Sequence, residues 1–344
     1  MSKLLIIRFS AMGDVAMTVP VVYSLANQYP DLDITVLSRR KFQCFFDKLL
    51  PNIHFYCADL EGKHHGMIGL HKLFYELKAL NFDYVADFHY VLRTIPFDIR
   101  FRLMGIPVAY IDKGREGKKA LTRRENKLKV QQNTSFVRYA NVLSCLGFPV
   151  NTDFNSIYGD TKGDASLFSS LYQPKKCGEK WIGVAPFAKH KGKVYPLERM
   201  EKVVCYLSKI PNVHIFLFGN GAEEENVMLQ WQKSYQQVLI TYKHVDLSGE
   251  LSLMSYLDVL VSMDSANMHM ASMVGTPVIS VWGATHPYAG FMGWKQKEEN
   301  IVQVDLPCRP CSVFGNKPCY RGDYACMNNI APEMIIDKIK KIIY

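Results

Sequence analysis

Two stretches far apart in the chain share one pattern: an apolar run stops at a polar turn and passes straight into a helix-like segment. The first is Lys3-Leu4-Leu5-Ile6-Ile7-Arg8-Phe9, then Ser10-Ala11-Met12-Gly13-Asp14, then Val15 to Tyr29. The second is Leu257 to Met263, then Asp264-Ser265-Ala266-Asn267-Met268-His269, then Gly275-Thr276-Pro277 and a further apolar run, Val278 to Trp282. Strands of this kind are buried on both faces, and strand–turn–helix repetition builds parallel sheets.

The pattern fills two rounds. In the first, strands are expected at 3–9, 33–37, 53–57, 83–88 and 107–111, with helices at 13–29, 66–80 and 133–147. In the second, Trp181 to Ala185 and Val213 to Phe218 read as strands, and Leu197 to Lys209 and Ala222 to Lys233 as helices. A chain of 344 residues with 48% hydrophobic side chains suits two such folded domains. The expected division is 1–160 and 161–330, Rossmann-like halves, with a helix over 331–344 that could pack back on the first half. Gly114 to Lys129, charged and without periodicity, reads as a mobile loop.

The turns carry the chemistry. A helix start presents unpaired amide N–H groups and partial positive charge, and so attracts phosphate. Asp264 and Ser265 suit capping positions, and His269 lies one turn in. Gly13 lets a ligand approach the backbone, and Asp14 either caps its helix or points into a cleft. The three-glycine dinucleotide fingerprint is absent. Phe218-Gly219-Asn220-Gly221-Ala222-Glu223 ends another strand, where Gly219 permits close approach and an acid can accept from ribose hydroxyls. In Phe187-Ala188-Lys189-His190-Lys191-Gly192-Lys193, lysines follow a strand end.

Ser10-x-Met12-Gly13-Asp14, Lys193-Val194-Tyr195-Pro196, the Asp264–His269 block with Gly275-Thr276-Pro277 and a cysteine-rich tail together resemble glycosyltransferase family 9, the ADP-heptose:lipopolysaccharide heptosyltransferases. The chain departs from the family pattern at Tyr195, where Trp is usual, and at Ala266, where Gly is usual. The resemblance implies the GT-B architecture, α/β with two Rossmann-like domains facing a central cleft, and ligands beyond the strand carboxyl ends. It implies an ADP-sugar donor in the second domain, held by Asp264, Ser265, Ala266, Asn267, Met268, His269, Gly219 and Glu223. The acceptor, a phosphorylated lipopolysaccharide or related glycolipid, falls to the first domain with Ser10, Met12 and Gly13. Asp14 is then the base, and Lys193 supports the leaving diphosphate. One carboxylate without a nucleophilic partner implies inversion at the anomeric carbon. No Asp-x-Asp pair stands out to bridge a metal and a diphosphate, so transfer is expected to need no cofactor.

Net charge is +9, and His89 to Asn141 holds nearly all of the excess, with twelve basic and four acidic side chains. Such a segment attracts polyanions, and Arg115, Lys118, Lys119, Arg123 and Arg124 are the expected acceptor contacts, with an anionic membrane surface as a peripheral partner. The aromatics that stack bases on single strands are not interleaved there, so nucleic acid is not expected. Cys308-x2-Cys311-x7-Cys319-x6-Cys326 reads as a candidate structural zinc site. No signal-peptide pattern and no apolar run near ~18 residues is present, so the expected location is cytoplasmic, at most resting on the inner face of the membrane. The rival readings are a transferase of the same architecture using another nucleotide sugar, and a Rossmann-type nucleotide-dependent oxidoreductase.

Overall fold

The computed structural model describes residues 1–47 and 49–344. It divides into two compact units, Met1–Lys113 with Thr134–Ile157, and Gly114–Asn133 with Tyr158–Tyr344.

The first unit holds β1 (Ser2–Ile7), α1 (Met12–Ala16), α2 (Val19–Gln28), β2 (Leu32–Ser38), β3 (Ile53–Cys57), α3 (Gly66–Lys78), β4 (Tyr84–Asp87), α4 (Ile95–Leu103) and β5 (Val108–Tyr110). Of the helices that follow, α5 (Arg115–Leu121) belongs to the second unit and α6 (Ser135–Cys145) to the first. The strands pair in the order β3-β2-β1-β4-β5, every pair parallel. Leu4 to Ile7 in the central strand are fully buried, as a run without polar alternation requires. The helix expected over 13–29 breaks at Thr18, whose hydroxyl donates to Val15 O at 2.7 Å. Helix α4 is absent from the pattern reading because its outward side is apolar too: Phe97 and Phe101 are buried while Ile99 and Leu103 are exposed.

The second unit repeats the scheme with β6 (Lys180–Ala185), α7 (Leu197–Leu207), β7 (Val213–Leu217), α8 (Ala222–Ser234), β8 (Val238–Ile240), α9 (Leu247–Tyr256), β9 (Val259–Met263), α10 (Ala266–Met273), β10 (Val278–Val281), β11 (Ile301–Val302), α11 (Ala325–Asn328) and α12 (Pro332–Ile343). Strand order is β11-β10-β9-β6-β7-β8, again all parallel. In both sheets the segments that follow the strands therefore leave from one edge, the carboxyl edge.

Two segments lie elsewhere than the sequence pattern suggests. Residues 114–133 contain a helix, α5, and belong to the second unit. The segment is held there: Lys127 Nζ donates to Cys308 O at 2.8 Å and Pro310 O at 2.7 Å, Gln132 N donates to Tyr288 O at 2.9 Å, and Lys118 lies over the Phe291 ring. Local charge hid these longer-range attachments from a reading by periodicity. The last helix, α12, belongs to the second unit. Its Ile335, Ile339 and Ile343 join the second unit's core with Met200, Val204 and Leu207 of α7.

Ile339 is fully buried in that core. Ile339→Ala is expected to destabilise the second unit by about 2–5 kcal/mol, the usual range for such truncations. Denaturant unfolding followed by Trp fluorescence checks this, and a shift below ~0.5 kcal/mol would mean that α12 adds little to the core.

Candidate functional site

In the first unit, a charge inside an apolar strand organises the turn. Arg8 follows β1 and is buried. A buried guanidinium needs partners, and it has them: Nη1 donates to Phe88 O at 2.6 Å and Nη2 pairs with Asp14 Oδ2 at 2.8 Å. Burial opposes its charge, but Tyr139 and Asp14 outweigh that and leave the Arg8 pKa raised. Asp14 Oδ2 also accepts from Ala11 N at 3.2 Å, closing the first turn of α1. Tyr139, fully buried, donates from its hydroxyl to Asp14 O at 3.3 Å. Asp14 is therefore both a helix-start acid and an anchored carboxylate. Both bonds fall on Oδ2, so Oδ1 has no partner among the described residues, and the side chain is 33% exposed. Ser10, Met12 and Gly13 line the same turn, each half-buried.

Beneath that turn lies a feature the sequence reading missed. Asp87 ends β4 and takes the backbone N–H groups of His89 at 2.7 Å and Tyr90 at 2.8 Å on Oδ1. Asp98, in the first turn of α4, lies against Asp87, and among the described residues no donor meets either Asp98 oxygen or Asp87 Oδ2, so the pair is settled best when one of the two holds a proton. Burial, then the Asp87 charge, pushes Asp98 up to about 8, and burial raises Asp87 as well. Burial and the nearby Arg8 push His89 down to about 3, so its imidazole is neutral near pH 7. The signal available was Asp87 at the end of a buried strand and Asp98 one turn into a helix, but only the fold brings them together.

In the second unit, Asp264 ends β9, is buried, and pairs with Lys193 Nζ at 2.9 Å. That is a different role from the cap it was expected to be. Ser265 is the N-cap of α10, and it makes no side-chain cap bond; its hydroxyl lies 3.2 Å from Ser262 Oγ instead. By contrast Asp246 caps α9 by accepting from Gly249 N at 2.8 Å. The first amides of α10, at Ala266, Asn267 and Met268, are thus not taken by a cap side chain, and His269 is buried in the same turn.

Lys193 is held by close backbone packing. Gly315 sits at φ +74°, and a Cβ there would come 2.6 Å from Lys193 Cγ. Ala284 N donates to Gly192 O at 2.8 Å. Tyr195, in the position where the family usually has Trp, is fully buried and donates to Ile330 O at 3.0 Å. At the end of β7, Gly219 packs against Met228 and Glu224. Glu224 accepts from Asn220 N at 2.8 Å and Glu225 pairs with Lys243 at 2.7 Å, which leaves Glu223 as the exposed acid of that turn.

The tail shows no arranged metal site among the described residues. Cys308, Cys311, Cys319 and Cys326 are free thiols, and among the described residues no group of three or more His, Cys, Asp or Glu side chains is arranged to hold a metal ion. Burial raises the Cys311 thiol, and pushes that of Cys326 up to about 11. A buried arginine organises the tail instead. Arg309 donates to Gly283 O, Val304 O, Trp282 O and Thr285 O and to the Gln303 side chain, tying together the segments after β10 and β11.

The expected acceptor contacts Arg115, Lys118, Lys119, Arg123 and Arg124 lie in the second unit, not the first. Lys118 is buried against Phe291 and Arg124 stacks on Tyr320, while Arg115, Lys119 and Arg123 are exposed.

Comparison with known proteins adds three findings. The family model described as "Glycosyltransferase family 9 (heptosyltransferase)" matches residues 71–319. Lipooligosaccharide heptosyltransferase 2 of Campylobacter jejuni is 24% identical over 172 residues, 48% of this chain and only 52% of that protein's length. Lipopolysaccharide heptosyltransferase 1 of Campylobacter coli is 22% identical over 99% of this chain and 98% of its own. In fold, the chain is similar to E. coli heptosyltransferase WaaC solved with ADP, at a TM-score of 0.70, 15% identity, and 98% and 99% coverage of the two chains.

The acid pair has a measurable signature. Between the unfolded carboxyl pKa near ~4 and the folded value of about 8, the native state keeps a proton that the unfolded state has lost. Stability from this group is full below pH ~4 and falls as pH rises through 8, by at most about 1.4 kcal/mol per pH unit. Asp98→Asn removes the titration and keeps a donor for Asp87. Melting temperatures from pH 5 to 9 are expected to fall less steeply in the variant than in the native protein; parallel curves would mean that the pair holds no such proton.

Proposed function

The chain belongs to glycosyltransferase family 9, and we propose that it moves a heptose from ADP-heptose to the inner core of a lipopolysaccharide or related phosphorylated glycolipid, with inversion. The observation that carries this reading is Asp14: a partly exposed carboxylate, fixed through Oδ2 with Oδ1 open, in the turn that matches the family's opening motif.

The acceptor hydroxyl oxygen forms the new bond to the anomeric carbon. The bond from that carbon to the β-phosphate oxygen breaks, and its electron pair leaves with ADP. As positive charge grows at the sugar, the hydroxyl becomes acidic and its proton passes to Asp14 Oδ1. Arg8 keeps the carboxylate aimed by holding its other oxygen. The open amides of α10 and Lys193 balance the charge appearing on ADP, and Asp264 keeps Lys193 in place. Gly219 and Glu223 receive the nucleoside end, where Glu223 accepts from ribose hydroxyls. This use of fixed cations and amide dipoles needs no divalent metal. Ser10, Met12 and Gly13 receive the acceptor sugar, and the exposed Arg115, Lys119 and Arg123 its phosphates, with Lys118 and Arg124 supporting them. An acceptor carried in a bilayer places the enzyme in the cytoplasm at the inner membrane face; among the described residues no helix is long and apolar enough to cross a membrane.

Asp14→Asn is expected to lower kcat by ~10²–10⁴, the usual contribution of a general base, while ADP affinity stays near that of the native enzyme. Steady-state transfer assays check it, and retention of more than about a tenth of native kcat would remove Asp14 from the role.

ADP is expected to bind in the presence of a chelator with undiminished affinity. Isothermal calorimetry decides this: binding lost on chelation and restored by magnesium would replace Lys193 and α10 with a metal, and tighter binding of UDP would change the donor.

A further inference from the structure

In the first unit, α3 and α4 pack together through Phe74, Phe97 and Phe101 and leave an unusual outer face. Met67 and Ile68 at the start of α3 are 89% and 88% exposed, Leu92 in the turn before α4 is 89% exposed, and Ile99 and Leu103 along α4 are 52% and 83% exposed. The α4 side chains recur at helical spacing on one side, opposite the buried Phe97 and Phe101. Large apolar side chains concentrated in this way mark an interaction surface rather than scattered surface residues.

Along the two helices the exposed charges have one sign. Arg93, Arg100, Arg102, Lys72 and Lys78 border the apolar residues. Each helix carries a single acid, and both acids are turned away from the surface. Glu76 of α3 is engaged by Tyr56, His64 and Lys63, and Asp98 of α4 is buried against Asp87. Both helices begin at the carboxyl edge of the sheet, the edge at which the Asp14 turn also lies.

We infer that this face of α3 and α4 seats the first unit on an anionic lipid surface, with Met67, Ile68, Leu92 and Leu103 entering the interfacial region and the basic side chains meeting headgroup phosphates. Apolar area and basic residues on one face are the two contributions that hold a protein on such a surface. A second copy of the chain is a poorer fit, because a two-fold contact would set this basic face against itself. The inference deepens the proposed function, which supposes an acceptor in a membrane, by assigning the surface that meets the membrane. It also separates that surface from residues 114–133.

The test is co-sedimentation of the full chain with vesicles of phosphatidylglycerol or of phosphatidylcholine, both lacking any sugar acceptor. Binding to phosphatidylglycerol is expected to be at least ~10-fold tighter. It should weaken between 0.1 and 1 M salt as the Debye length falls from ~10 to ~3 Å. The triple variant Ile68→Ser, Leu92→Ser, Leu103→Ser should bind at least ~10-fold more weakly with an unchanged circular dichroism melt. If that melt shifts, Lys72→Gln with Arg93→Gln serves in its place, with the same loss expected. Native protein that ignores phosphatidylglycerol, or variants that bind as the native does, would overturn the inference. So would a self-association that the triple variant abolishes while vesicle binding stays as in the native protein. No donor or acceptor sugar is present, so this result and the transfer assays can fail independently.

Discussion

A parallel strand has to be covered on both faces, and most of this architecture is a consequence. Leu4 to Ile7 of β1 and Val259 to Met263 of β9 are sealed beneath helices, so nothing polar is tolerated along them without a partner. Chemistry is confined to where each strand stops. The Asp14 turn and the Asp87–His89 bend follow β1 and β4; Lys193, Gly219 and Asp264 follow β6, β7 and β9. One edge of each sheet thus collects groups distant in sequence.

Buried cations show how the constraint is met. Arg8 and Arg309 are both removed from water; Arg309 is satisfied mainly by backbone carbonyls, whereas Arg8 has one carbonyl and the Asp14 carboxylate. Their roles differ in what remains. Arg309 spends its donors on the segments after β10 and β11 and so orders the tail without a metal. Arg8 keeps one donor for Asp14, and thereby fixes the orientation of a partly exposed carboxylate. Lys193 and Asp264 form a similar pair in which both side chains are largely buried, and Asp264 directly precedes Ser265, the N-cap of α10. Losing one partner of such a pair costs more than the pair contributes, because an unpaired buried charge remains.

Charge that is continuous in sequence is divided in space. The basic run from Arg93 to Arg138 is shared between the two units. Arg93, Arg100 and Arg102 belong to the first unit beside exposed apolar side chains, whereas Arg115 to Lys129 belong to the second, where Lys127 fastens the chain to Cys308 and Pro310. Even the exposed apolar side chains of α4 escape a reading by periodicity, since a helix apolar on both sides has no polar face to reveal it.

What the sequence determined by itself was what local physics controls. Unbroken apolar runs ending in polar turns specified parallel strands and helices, and hence two α/β units; the turn motifs at Asp14, Lys193 and Asp264 singled out the candidate site residues and the family. Tertiary structure decided everything that depends on which distant groups meet. It paired Asp264 with Lys193 where a cap was expected, buried Asp87 against Asp98, and moved residues 114–133 and α12 into the second unit. The reason is the range of the forces: propensity and alternation act over a few residues, while burial and ion pairing act between residues that only the completed fold brings within reach.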